Sequence, residues 1–133
     1  MTVDLTYGLP QWRGTQLNIN VSVTATLNIT AYTAQRKVSV LVLERVGTGL
    51  FGDEPRLIMA EKRVCWRVPV IASSASAGRL GPVGEIDVDA QTGEILATPD
   101  VLNTIGDNAD RLVASSTIFS HASDGRLMTN NGV

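Results

Sequence analysis

Residues 17–31 read LNINVSVTATLNITA and alternate without a break. Leu17, Ile19, Val21, Val23, Ala25, Leu27, Ile29 and Ala31 are apolar, and every residue between them is Asn, Ser or Thr. A period of two places one set on each face of a β-strand. Typical strands run about 5–6 residues. One of about 12–13 residues at about 3.3 Å each spans roughly 40 Å. A domain of this size has a diameter of only about 35–40 Å. Such a strand crosses the whole body, bends at a bulge, or protrudes. No Pro and no charged residue interrupts it, so the usual protection of a free strand edge is missing. Two arrangements satisfy it: pairing with another chain, most simply a second copy, or incorporation into the chain's own sheet. The first is the expectation. It makes Leu17, Ile19, Val21, Val23 and Leu27 an oligomerisation surface.

The chain of 133 residues fits one domain with a sizeable core. Only 5% of it is aromatic, so that core must be built from Val, Ile, Leu and Ala. With 11 basic and 13 acidic residues and no Lys/Arg cluster, it lacks the basic stripe that displaces counterions from nucleic acid. The longest aliphatic run, VLVL at 40–43, is far too short to span a bilayer. Cys65 is the single cysteine, which excludes an intrachain disulfide and multi-cysteine metal sites. No charged segment followed by an apolar one opens the sequence as a secretory leader would, so a cytoplasmic location is expected.

Residues 1–16 carry Gly8, Pro10 and Gly14 and read as an irregular arm. After Thr30, a good N-cap, Ala34, Val38, Leu41, Val42 and Val46 recur at helical spacing, and Gly47 and Gly49 follow. The spacing predicts a helix over 31–46. The β-branched VSVLV at 38–42 leaves a strand as the alternative. FGDEP at 51–55 reads as a turn, 56–61 and 63–72 as strands, and SSASAGRLGP at 73–82 as a loop. Pro69 marks a strand edge or bulge, because it cannot donate to a ladder. GEIDVDAQTGEIL at 84–96 is a hairpin with Gly93 where the turn needs positive φ. Thr98-Pro99-Asp100 starts a second helix. The main domain is therefore expected over 17–115, followed by a mobile polar tail over 116–133.

The order ITAYTA (29–34) opening a helix, WRVPV (66–70), then VDAQTGE (88–94) within the hairpin resembles a PepSY-type domain over about 29–97. The resemblance implies a helix packed on a small antiparallel sheet. It also implies a non-catalytic module that binds peptide or protein, peptidase inhibition being a theme of that family. No residue role carries over. Two features depart from the family: no secretory leader is visible, and the long alternating segment is not part of the usual unit.

Candidate chemistry is sparse. Glu85, Asp87, Asp89 and Glu94 line one hairpin face, but the calcium-loop template starting at Asp87 puts Thr92 where Gly belongs and Thr98 where Glu belongs. They read as a solvated face, as do Asp107 and Asp110. Cys65 and His121, the only histidine, suit inert packing and a tail better than a nucleophile pair. Gly78, Gly81 and Gly84 lack the spacing of a phosphate-binding loop. Trp66 reads as a core anchor. The expected fold is α+β: an antiparallel sheet of about four to five strands, the 31–46 helix across one face, and the last helix at an edge or end. The expected function is a small non-enzymatic protein- or peptide-binding module working as a homo-oligomer, without cofactor, metal, nucleic acid or membrane. A regulatory partner such as an inhibitor or antitoxin, and a self-assembling structural subunit, are the alternatives.

Overall fold

The computed structural model describes residues 2–4 and 24–124, and the side chains of 24–116. The described elements are β1 (Thr2–Asp4), α1 (Ala31–Arg45), β2 (Leu50–Gly52), β3 (Arg56–Ala60), β4 (Arg63–Ser74), β5 (Gly78–Asp89), β6 (Ile95–Leu96) and α2 (Pro99–Asp124). The strands form one antiparallel sheet in the order β1-β3-β4-β5-β6, with β2 also on β4. The fold is α+β, as expected from the sequence.

β4 is the organising strand. Along one edge it pairs with β3 through Arg63–Arg67 and with β2 through Val70–Ala72; along the other it pairs with β5. Pro69 falls between the two partial neighbours, so its missing donor faces the gap. Its carbonyl there accepts from Asp53 N–H at 2.8 Å. Register shifts follow between Val70 and Ile71 and between Ala72 and Ser73.

Alternation along β4 and β5 sends Val68, Val70, Ala72, Val83, Ile86 and Val88 into one core with Ala34, Val38 and Val42 of α1 and Leu102 and Ile105 of α2. Both helices therefore cover the same sheet face. α2 packs on β5 and β4 beside the end of α1, because its Leu102 and Ile105 meet the inner residues of β5. Gly84 permits this approach: a Cβ there would sit 2.6 Å from Ile105 Cγ1. Gly84 is thus a packing residue.

Several expectations need correction. β1 lies within the arm read as irregular and pairs with β3, Val3 opposite Met59. The FGDEP turn begins inside β2, whose outer edge is satisfied by α1: Gln35 Nε2 donates to Gly52 O at 3.0 Å, and Gly52 N–H donates to Ser39 Oγ at 2.8 Å. The 73–82 loop is mostly strand. β4 and β5 continue to a turn at 75–77, and the Gly and Ser residues that resemble a loop are absorbed by the bulged ladder. α2 continues to Asp124, where a tail was expected from residue 116. No Gly or Pro occurs between Asp107 and Asp124, so an established helix has no breaker to stop it. Residues 125–133 lie outside the described residues.

Candidate functional site

α1 starts where the DAQTG turn receives it. Asp89 Oδ1 accepts from Gln91 N–H at 2.8 Å and Thr92 N–H at 2.9 Å, and Gly93 takes φ +81°. This leaves Ala90 O aimed at the incoming chain, where it accepts from Asn28 N–H at 2.9 Å and Ile29 N–H at 3.0 Å. Asn28 Nδ2 also donates to Gln91 O at 2.9 Å, and Trp66 Nε1 donates to Ile29 O at 2.7 Å. Thr30 Oγ1 then caps the helix by accepting from Thr33 N–H. VDAQTGE, which carried the family resemblance, is thus a clasp that fixes where α1 begins. Trp66 is a partly buried anchor whose indole N–H holds the same junction.

Once α1 is clasped, its apolar run VSVLVL cannot hide on one side. Ala34, Val38 and Val42 are fully buried, while Tyr32, Val40 and Leu43 are 66%, 47% and 52% exposed. Tyr32, Arg36, Val40 and Glu44 form one row at intervals of four. The neighbouring row Thr33, Lys37, Leu41 leads down to Ile95 of β6. Between and beside the rows runs an open groove of about 510 Å³ with a mainly apolar lining. The Arg36 guanidinium stands 5.9 Å from the centre of the Tyr32 ring. Sequence reasoning missed this surface because it scored 38–42 only for helix against strand. The signal was there: in a helix, four adjacent aliphatic residues must place some on the outer side.

The opposite sheet face is ionic. Arg67 grips Asp87 with two hydrogen bonds of 2.9 and 3.0 Å. Glu85 lies 3.6 Å from Arg56 and 3.8 Å from Arg67, and Arg63 lies 3.4 Å from Asp89 and 3.6 Å from Glu94. These carboxylates are consumed by arginines and backbone amides, and Asp89 is buried rather than solvated. Burial pushes the Asp89 carboxyl up, but the Thr92 and Gln91 amides and Arg63 outweigh it and hold the group below its ordinary value. Beneath this network the Cys65 thiol is pushed up to about 11 by burial and by Asp87 and Asp89, so it is protonated at neutral pH. His121 lies on α2 beyond the described side chains.

Of the oligomerisation surface expected from sequence, Leu17, Ile19, Val21 and Val23 lie outside the described residues. Leu27 is half exposed, in a segment without strand structure. The long strand does not extend through 24–30: two successive amides, Asn28 and Ile29, turn to the same carbonyl, which no strand ladder allows. Among the described residues no helix is long and apolar enough to cross a membrane, and no group of three His, Cys, Asp or Glu side chains is placed to hold a metal. Compared with protein-family models, curated proteins and solved structures, the chain matches none.

Proposed function

We propose that the chain is a small non-catalytic binding module that takes an apolar segment of a protein chain along the outer side of α1. The observation that carries this reading is the exposure of Tyr32, Val40 and Leu43 on one helix, beside a groove floored by Leu41 and Ile95. Large apolar side chains gathered on a surface, with charges at their border, mark a place where another chain loses water. Arg36 and Lys37 interleave with the apolar residues here, and Glu44 ends the row. The PepSY resemblance adds support, since it implies a helix packed on an antiparallel sheet and a module that binds peptide or protein. A lone buried, protonated thiol suits a reducing compartment such as the cytoplasm.

The test is selection of a displayed random-peptide library on the full chain, followed by binding to Val40→Glu. Val40 is exposed, so the variant folds with an unchanged melting temperature. Selected peptides are expected to lose at least tenfold in affinity for it. Peptides that bind the variant as well as the parent, or a library that yields none, would overturn the reading.

A further inference from the structure

The row Tyr32-Arg36-Val40-Glu44 is self-complementary, and we propose that the occupant of this face is a second copy of the chain, docked α1 against α1 in antiparallel orientation about Val40. The inference rests on the binding face just described and names its partner.

A two-fold axis at Val40 sets each residue opposite the one equally far on its other side. Val40 meets Val40 of the second copy, and Arg36, one helical turn before it, meets Glu44 of the second copy, one turn after. The symmetry makes the contact twice, so two ion pairs flank an apolar centre. A β-branched Val at the crossing point keeps the closest approach narrow. An isologous contact of this kind closes on itself and stops at a dimer.

Three further observations favour a second copy over an unrelated chain. Neither Arg36 nor Glu44 has an ion-pair partner among the described residues, whereas Arg63 and Arg67 each have two and Arg79 has one. Arg36 is exposed, and its guanidinium stands 5.9 Å from the centre of the Tyr32 ring, within the same row. Leu43 is half exposed, and the same symmetry sets it against the aliphatic stem of Lys37 of the second copy.

The experiment is light scattering coupled to size exclusion on the full chain over a hundredfold concentration range at low salt, with Arg36→Glu, Glu44→Arg and the double variant. The parent is expected to be a dimer. Each single reversal sets like charges together at both contacts and weakens the dimer on the order of tenfold or more. The double variant restores pairing. An equimolar mixture of the two single variants forms a heterodimer, because one then carries only acids at these positions and the other only bases. Both positions are exposed, and unchanged melting temperatures show that the monomers are intact. A chain that stays monomeric overturns the self-pairing, while the peptide selection still judges the binding face independently. A dimer indifferent to all four charge arrangements overturns it too, and moves assembly to another surface such as the alternating segment over 17–23.

Discussion

At the scale of single residues, the buried charge and the buried thiol have the sharpest consequences. Asp89 is 6% exposed, yet its carboxylate is fully engaged by two amides and Arg63. Removing a buried acceptor strands those donors, and bonds to a charged group are worth about 1.5–3 kcal/mol. Asp89→Ala should therefore cost about 2–3 kcal/mol in urea unfolding at pH 7, with loosened amide protection at Gln91, Thr92, Asn28 and Ile29. The pH dependence has a definite sign. The folded carboxyl titrates below its unfolded value, so its contribution is full above about pH 4 and fades as pH falls through the folded value. The gap between parent and Asp89→Ala should narrow below pH 4 and stay constant between pH 5 and 8. Cys65 acts in the opposite direction. With its thiol at about 11 it holds roughly a hundredfold less thiolate at pH 8 than a free cysteine. Alkylation of the folded chain at pH 8 should be at least that much slower than in urea, and burial slows it further. The sequence placed Cys65 in packing, where the structure buries it. It did not tell that Asp89 would be buried, because alternation places Asp89 beside Glu85 and Asp87 and cannot show that Arg63 closes over it.

At the scale of elements, two turns and one close approach separate what a pattern reveals from what it hides. The DAQTG turn was legible, because Asp and Gly occupy the positions that a short loop with one residue at positive φ demands. The β3–β4 turn was not. Glu61 and Lys62 take φ of +53° and +63°, a conformation that suits Asn-Gly and costs other residues about 1–2 kcal/mol each. The strands on either side were readable and their joint was not, since its residues are wrong for the turn that the register imposes. Glu61→Asn with Lys62→Gly should stabilise the chain by about 1–2 kcal/mol, read as a higher midpoint in denaturant with unchanged slope. Close approach works the other way. A Cβ at Gly52 would lie 2.9 Å from Val68 Cγ1 and 3.0 Å from Gln35 O, and one at Gly84 would lie 2.6 Å from Ile105 Cγ1. Gly52→Ala and Gly84→Ala should each cost about 1–3 kcal/mol. The cost of Gly84→Ala should shrink when combined with Ile105→Ala, because the clash and the cavity occupy the same space.

At the scale of the whole molecule, Ile105 joins layers that are distant in sequence: it is 1% exposed among residues of β5 and the shared core of both helices. Ile105→Ala should cost about 2–5 kcal/mol. Far-ultraviolet circular dichroism and tryptophan fluorescence should lose signal at one common, lowered temperature, since a small domain with one core unfolds as a unit. The sequence by itself determined the α+β class, both helix starts, the 84–96 hairpin and the aliphatic core, because these follow from local periodicity and from caps and turns that act within a few residues. Only the tertiary structure decided that β4 carries two partial strands on one edge, that glycines at 52 and 84 admit the helices, and that both helices share one face. Those outcomes depend on contacts between residues far apart in the chain, where periodicity carries no information about partners. The exposed row on α1 belongs to both: its apolar run is written in the sequence, but the sheet chose which residues of that run to bury and left Val40 and Leu43 outside.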